Sequence, residues 1–189
     1  MERTDAILSF LKEIDKFKSV EREIYLPNRK ENSAEHSWHV AMFLLLFEKE
    51  LPKLDFKKTL KLALIHDLIE IYAGDTFAFD KTGQNTKQER EKNAAQKLFS
   101  QLPDDLCKEY TELFNEYEEE KTPEAKTVKS FDKIQPILQN VISEGKSWKK
   151  HNVKYEDVDN YKRKHMQHDQ FILSVYEKLI KEAKEKKLL

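Results

Sequence analysis

Glycine is scarce in this chain, and the scarcity limits the folds open to it. Only three of the 189 residues are glycine, namely Gly74, Gly83 and Gly145, whereas proteins usually contain about 7%. A sandwich or barrel of many short strands needs turns with positive φ, which glycine mostly supplies. The composition therefore excludes an all-β fold. The three glycines also lie too far apart to form a G-x-G-x-x-G motif or a P-loop.

Apolar residues recur at helical spacing along most of the chain. This pattern predicts helices over 4–19, 33–50, 56–73, 87–101, 104–120 and 123–143, and one or two more from 156 to the end. We predict N-caps at Asn32 or Ser33, at Asp55 and at Thr122. The segment 20–33 is predicted to be a loop or a short hairpin, the segment 75–86 a loop, and Pro136 a kink or break. Without a linker or repeat, the sequence predicts a single all-α domain of about six to eight helices over residues 1–189.

Composition restricts the partners and the compartment. The 34 basic and 35 acidic residues nearly cancel, which argues against a broad nucleic-acid surface. The apolar stretch Val40–Phe47 is far shorter than the ~20 residues of a membrane helix, and the N-terminus lacks the apolar region of a signal peptide. Cys107 is the only cysteine, so there is no internal disulfide and no cysteine metal cluster. We expect a cytoplasmic protein that binds neither nucleic acid nor membrane.

Polar residues inside apolar helices are the strongest functional signal. His36 stands at the start of the second predicted helix, the pair His66-Asp67 lies within the apolar third helix, and Asp132 lies within the apolar stretch Val128–Leu138. Burying a charge costs several kcal/mol unless it is paired or binds a metal. Two imidazoles and two carboxylates suit one divalent transition metal, such as Mn, Co, Fe, Ni or Zn. The alternatives are a capping role for His36, a structural His66-Asp67 pair and a core acid at Asp132 bonded to a lysine.

Two further carboxylates stand near the HD pair. Glu70 follows His66 by four residues and Asp67 by three, so it lies on the same helical face and could act as a general base. Asp75 follows Gly74, where the chain can turn back over the site. Glu70 could instead be an ion-pair partner, and Asp75 a residue of the turn at the helix end.

Three segments carry these residues, namely RKENSAEHS at 29–37, HDLIEIYAGD at 66–75 and FDKIQPILQ at 131–139. Their order and separations resemble the HD-domain metal-dependent phosphohydrolases, and within them the 5′-deoxynucleotidases of the YfbR and HD-domain-containing protein 2 type. The resemblance covers about residues 15–145, which leaves about 146–189 as a C-terminal helical extension. It implies an all-α HD-domain bundle that often forms a homodimer.

The resemblance also implies roles for individual residues. The metal ligands would be His36, His66, Asp67 and Asp132. Glu70 and Asp75 would be catalytic, acting around the attacking water and the leaving oxygen. Arg22 and Arg29 would bind the phosphate of the substrate. The implied reaction is the hydrolysis of a nucleoside 5′-monophosphate to nucleoside and phosphate.

The chain departs from this pattern at one position, because Glu23 follows Arg22 where the deoxynucleotidases have a tryptophan that helps to reject ribose. The resemblance therefore does not carry a deoxyribose preference to this chain. No histidine lies between Asp67 and Asp132, which favours one metal over the two-metal phosphodiesterases and diiron oxygenases of the superfamily. A carboxylate-bridged diiron bundle needs two Glu-x-x-His pairs, and the chain has none. A non-catalytic scaffold that binds or senses a nucleotide stays open, as does a different small phosphorylated metabolite.

Overall fold

The structure is a computed structural model that describes residues 2–51 and 53–189. Two antiparallel strands form a hairpin, β1 (Glu21–Tyr25) and β2 (Lys30–Asn32). Short 3₁₀ helices cover Asp15–Ser19 and Arg163–Met166. The α-helices are α1 (Arg3–Ile14), α2 (Ser33–Leu46), α3 (Phe56–Ile65), α4 (Glu70–Ala73), α5 (Lys81–Phe99), α6 (Asp104–Glu119), α7 (Pro123–Ile142), α8 (Lys146–Lys150), α9 (Tyr155–Lys162) and α10 (Gln170–Glu185).

Helix α7 is the central element of the core. It packs against α2, α3, α6 and α10, and its apolar side chains at Val128, Phe131, Ile134 and Ile137 are fully buried. A helix enclosed by neighbours on several sides must be apolar around much of its circumference, so a charged residue such as Asp132 within it needs a specific partner. The all-α class is therefore confirmed, with one small hairpin added.

Side-chain oxygens cap the helices that carry the candidate site. Asn32 Oδ1 accepts the backbone N–H of Glu35 at 3.0 Å, and Glu35 Oε2 accepts the backbone N–H of Asn32 at 3.0 Å. This reciprocal pair is a capping box, and it fixes the first turn of α2. Asp55 and Thr122 cap α3 and α7 by a single bond each, since Asp55 Oδ1 accepts the N–H of Lys58 and Thr122 Oγ1 accepts the N–H of Ala125. The predicted N-caps are confirmed, with Asn32 rather than Ser33 capping α2.

The segment 20–33 was predicted to be a loop or a short hairpin, and the structure confirms the hairpin. The hairpin determines which side chains of this segment face inward. Along β1 burial alternates, with Arg22 and Ile24 buried and Glu23 on the other face. This two-residue period is the normal geometry of a strand. Glu23 instead contacts Lys30 at 2.8 Å and His151 at 3.1 Å, outside the site.

The predicted helix over 56–73 is wrong in its middle. α3 ends at Ile65, and the next residues bond three rather than four positions back, as from Leu68 N–H to the Ile65 carbonyl and from Glu70 N–H to the Asp67 carbonyl. These are the tighter bonds of a 3₁₀ turn. The sequence on both sides of the HD pair is apolar almost all round, so it has no clear period that would distinguish a 3₁₀ turn from an α-helix.

Other features also differ from the prediction, beginning with the helix predicted over 4–19, which divides into α1 and the 3₁₀ helix Asp15–Ser19. α2 ends at Leu46 rather than near residue 50, and α5 begins at Lys81, because Asp80 Oδ1 accepts the N–H groups of Thr82 and Gly83. α7 continues through Pro136 without a break. In the described part of the chain, no helix is both long enough and apolar enough to cross a membrane.

Candidate active site

Four side chains from three parts of the fold converge on one point. His36 lies in the first turn of α2, His66 and Asp67 directly follow α3, and Asp132 lies in the middle of α7. One ligand atom from each lies within 4.8 Å of the others. His36 Nε2 is 3.1 Å from Asp132 Oδ1 and 3.7 Å from Asp67 Oδ2, and His66 Nε2 is 3.3 Å from Asp67 Oδ2. The structure thus brings together all four ligands named from the sequence.

Hydrogen bonds on the far side of each imidazole fix its tautomer. His36 Nδ1 donates to Gln135 Oε1 at 2.7 Å, and His66 Nδ1 donates to the carbonyl of Ala63 at 2.8 Å. The amide nitrogen of Gln135 donates in turn to Glu31 Oε1 at 2.6 Å, which fixes the orientation of the amide. With the proton on Nδ1, each neutral imidazole directs the lone pair of Nε2 toward the carboxylates.

Lone pairs that face carboxylates in a buried place call for a cation. His66 Nε2 is buried and has no hydrogen-bond partner among the described residues. A metal ion bound by imidazole nitrogen and carboxylate oxygen would satisfy this atom and the two carboxylates together. Histidine ligands of metals commonly donate their other N–H to a carbonyl or amide oxygen, as both histidines do here. The four residues therefore fit one divalent metal ion.

The surrounding charges keep both aspartates ionised. Burial acts to raise the pKa of Asp67, but the positive charge around it, which includes Arg22, outweighs burial and holds the pKa below its usual range. Burial also acts to raise the pKa of Asp132, but the ammonium group of Lys133 holds that pKa well below its usual range. Both side chains therefore carry the negative charge that metal ligands need.

Glu70 lies beside this cluster. It is three residues after Asp67 in a 3₁₀ turn, where residues i and i+3 lie on one face. Its side chain is buried, and Ser33 Oγ donates to Glu70 Oε2 at 2.6 Å. Burial and the negative charge of Asp67 raise the pKa of Glu70 well above its usual range. A carboxylate with a raised pKa is suited to accept a proton from water near neutral pH.

Gly74 directs the chain so that Asp75 returns toward the cluster. Its backbone has φ of 73° and ψ of 153°, a combination open almost only to glycine. Arg90 of α5 holds the segment on either side, since its guanidinium donates to the Ala73 carbonyl and to Thr76 Oγ1 at 2.8 Å. Asp75 Oδ1 then lies 3.4 Å from Arg22 Nη1.

Arg22 is surrounded by carboxylates. Its Nη1 is 2.8 Å from Asp67 Oδ2, 3.4 Å from Asp75 Oδ1 and 3.8 Å from Glu70 Oε2, and its Nε is 3.7 Å from Glu31 Oε2. The guanidinium is buried, and although burial acts to lower its pKa, these carboxylates raise the pKa above its usual range. Arg22 thus compensates the negative charge that the candidate ligands concentrate in one place.

Arg29 is not part of this group. It is exposed, and its guanidinium forms a two-pronged ion pair with the carboxylate of Glu35, one oxygen at 2.8 Å. Glu35 is held in turn by the capping box of α2. Seven of the eight site residues named from the sequence therefore come together, whereas Arg29 is held at the surface by an acid six residues away.

A half-enclosed pocket opens over the cluster, with about 860 Å³ of space between protein atoms, part of it open to solvent. Its floor holds the candidate ligands His66, Asp67 and Asp132. Its walls add side chains that the sequence did not single out, both aromatic and basic, among them Phe77, Phe79, Lys133, Trp148, Tyr161 and Lys162. The pocket therefore offers apolar surface and positive charge next to a candidate metal site.

Two supporting residues were also missed. Tyr117 OH donates to Asp132 Oδ2 at 2.7 Å, and Gln135 orients His36. Gln135 lies three positions after Asp132, one turn along the same helix, so its polarity inside an apolar stretch was the available signal. Tyr117 lies on α6, and nothing in its local sequence links it to Asp132.

Comparison with known proteins agrees with this geometry. Residues 14–172 match the family model of the HD domain. The chain is similar to the 5′-deoxynucleotidase HDDC2 of Xenopus laevis, with 33% identity over 178 residues, which cover 91% of this chain and 87% of that protein. It is also similar to the 5′-deoxynucleotidase HDDC2 of Dictyostelium discoideum, with 37% identity over 144 residues, 70% of this chain and 74% of that protein.

A solved structure shows the same arrangement of the chain. A predicted metal-dependent phosphohydrolase from Magnetospirillum magnetotacticum superposes with a TM-score of 0.92 and 37% identity, and the match covers 99% of this chain and 95% of that one. The profile match spans all of the candidate ligands, from His36 to Asp132. Sequence, structure and ligand cluster together show that the chain belongs to the HD domain family.

Proposed function

We propose that the chain is a metal-dependent phosphohydrolase that converts nucleoside 5′-monophosphates to nucleoside and phosphate. One divalent metal ion is held by His36, His66, Asp67 and Asp132. The observation that carries the proposal is the convergence of these four side chains, three of them buried, with Glu70 and Asp75 beside them. The relatives named 5′-deoxynucleotidases and the structural neighbour named a phosphohydrolase support the reaction class.

The metal, when bound, supplies Lewis-acid stabilisation of negative charge on the phosphoryl oxygens. Glu70 is the general base of the proposal. Ser33 Oγ bonds its Oε2, which orients the carboxylate and leaves Oε1 to accept the proton of the attacking water. Its raised pKa suits this role, because a base is most useful when its pKa lies near the working pH.

Asp75 is proposed to act near the leaving oxygen. Arg22 holds Asp67 and Asp75 in fixed positions through the contacts of its Nη1. A group that positions two carboxylates from different parts of the chain lowers the cost of assembling them at the moment of reaction. Arg22 is thus proposed to position these two carboxylates next to the phosphate of the substrate. Arg29 lies at the surface and has no part in the proposed mechanism.

A substrate panel tests the proposal. Nucleoside 5′-monophosphates in paired ribose and deoxyribose forms are incubated with protein loaded with Mn²⁺ or Co²⁺, and released phosphate is measured. We expect turnover of at least one pair, and a loss of about 10²- to 10⁴-fold in kcat for Glu70→Ala. Arg29→Ala is the matched surface control and should keep full activity. Absence of turnover on every substrate, or a Glu70→Ala variant as active as the wild type, would refute it and favour a non-catalytic scaffold.

The panel also settles the sugar preference. Glu23 occupies the position where a tryptophan was expected, and its side chain lies on the outer face of β1 among Lys30 and His151. Discrimination at the sugar must then come from inward-facing side chains such as Ile24 and Trp148. Metal analysis of the protein as purified identifies which of Mn, Co, Fe, Ni or Zn it carries.

We further propose a cytoplasmic homodimer. Trp38 and Leu46 of α2 are 62% and 73% exposed, and large exposed apolar side chains are common at protein interfaces. Light scattering at micromolar concentration tests the assembly, since a dimer gives twice the 22.5 kDa of the chain.

A further inference from the structure

Four lysines line the pocket on the side of α5, α7 and α9. Three of them each have a carboxylate partner, namely Lys87 with Glu91 at 3.5 Å, Lys129 with Glu118 at 3.1 Å and Lys133 with Asp132 at 3.0 Å. Lys162 differs from these three. Across residues 2–51 and 53–189, no carboxylate oxygen lies within 4.0 Å of its ammonium group.

Lys162 is nevertheless the most deeply buried of the four. Its residue is only 5% exposed, and the ammonium makes one hydrogen bond, to the backbone carbonyl of Lys133 at 2.8 Å. An ammonium has three N–H donors, so two remain for other groups. Burial and the nearby Lys133 lower the pKa of Lys162 to about 7, which reflects how little its charge is compensated.

Lys162 is connected to the candidate metal cluster through Lys133 of α7, which contacts Asp132. Asp132 Oδ1 faces His36 Nε2, whereas Asp132 Oδ2 faces Lys133 Nζ at 3.0 Å. Lys162 bonds to the Lys133 carbonyl and lines the same pocket as Asp67 and Asp132. Arg22 is already compensated by its carboxylates, and Lys133 is paired with Asp132. The positive charge left for a ligand in this pocket therefore lies chiefly on Lys162.

We propose that Lys162, with Lys133 beside it, forms an anion subsite that binds the phosphate group of a phosphomonoester or the inorganic phosphate released from it. The identity of the anion rests on the proposed function. The subsite itself rests on the buried ammonium, its lack of a carboxylate partner and its place on the pocket wall. A phosphate dianion provides the acceptors and the negative charge that the two free N–H donors of Lys162 lack.

Two variants of equal charge change test the subsite with inorganic phosphate as the probe. Lys162→Met removes the ammonium and keeps an unbranched apolar stem, whereas Lys164→Met removes the same charge from an exposed position two residues later. Titration calorimetry on the metal-loaded protein should show phosphate affinity reduced about 10- to 100-fold in Lys162→Met, as expected for a charge-assisted bond. Lys164→Met should bind phosphate like the wild type. Equal phosphate affinity in Lys162→Met and wild type would overturn the subsite.

A second measurement does not depend on a variant. A crystal structure of the wild type soaked with tungstate, a tetrahedral dianion, should place tungstate oxygens within about 3 Å of Lys162 Nζ. Tungstate bound in the pocket away from both Lys133 and Lys162 would overturn the inference, even if Lys162→Met does not fold.

The substrate panel separates the two proposals. If the wild type hydrolyses no monophosphate but still binds phosphate through Lys162, the proposed function fails and the subsite stands. If the wild type hydrolyses monophosphates with the same KM as Lys162→Met and both bind phosphate equally, the function stands and the subsite fails.

Discussion

Arg22 Nη1 lies 2.8 Å from Asp67 Oδ2, so a guanidinium and a candidate metal site share one carboxylate oxygen. The same oxygen is 3.3 Å from His66 Nε2 and 3.7 Å from His36 Nε2. Arginine and metal ion therefore compensate the same negative charge. Because Arg22 also contacts Asp75 and Glu70, its loss affects three of the four carboxylates of the site at once.

Arg22→Met should destabilise the metal-free protein by about 3–5 kcal/mol, the usual cost of removing one partner from a buried charge group. Added Mn²⁺ should restore part of this loss, because a divalent ion compensates the same carboxylates. The rise in melting temperature on metal addition is therefore expected to be larger in Arg22→Met than in the wild type. Arg29→Met breaks only an exposed pair and should cost at most about 1 kcal/mol, with an unchanged response to metal.

Gln135→Leu should weaken metal binding by about 10- to 100-fold, because His36 loses the acceptor that fixes its tautomer. Gln139→Leu is the matched control. Gln139 is also a buried amide of α7, but its Nε2 donates to the Tyr25 carbonyl at 3.0 Å, outside the cluster. Both variants should lose similar stability, and only Gln135→Leu should show a higher dissociation constant for Mn²⁺ by calorimetry. Equal metal affinity in the two variants would contradict the role given to Gln135.

Gly74→Ala should lower kcat as well as stability. Alanine held at φ of 73° and ψ of 153° would cost about 1–3 kcal/mol. The backbone is expected to relax to relieve this strain, and the relaxation would move Asp75. Gly145→Ala also places alanine at positive φ, 69°, but before α8 and away from the cluster. The control should lose stability without losing activity on the best monophosphate. A Gly74→Ala variant that is less stable but fully active would show that Asp75 needs no precise placement.

Lys162 should make stability depend on pH above neutrality. Its pKa is about 7 in the folded chain and about 10.4 when unfolded, so between these values the unfolded state binds more protons and stability rises with pH. Lys162→Met lacks this term and should be the more stable protein near pH 6.5, by up to about 4 kcal/mol. Urea unfolding of both metal-free proteins should show the difference shrinking toward pH 9.5. A constant difference would mean that Lys162 stays charged in the fold.

Part of the candidate ligand cluster was predictable because burial of a polar residue leaves a mark in the sequence. His66 and Asp132 interrupt stretches that are otherwise apolar, and the structure buries both. His36 lies at the polar start of α2, where the resemblance to the HD-domain motif was the signal. Helix starts were predictable for a related reason, since Asn32, Asp55 and Thr122 carry the short polar side chains that caps require.

Other features depend on contacts that are distant in sequence. The sequence shows Lys162 as one of 34 basic residues, and only the approach of α9 to the Lys133 carbonyl buries it. Arg29 was predicted to lie in the site because of its position in the motif. Its ion pair with Glu35 holds it at the surface instead. The 3₁₀ turn at the HD pair is likewise not marked in the apolar sequence around it.

The convergence of His36 and Asp132 also gives this cysteine-poor chain a substitute for a disulfide. The two residues are 96 positions apart, and a metal ion bound by both would close that long stretch of chain into a loop. Cross-links over long loops remove much of the conformational freedom of the unfolded state. With one cysteine in the chain, an ion bound at this cluster would also serve as a cross-link between α2 and α7.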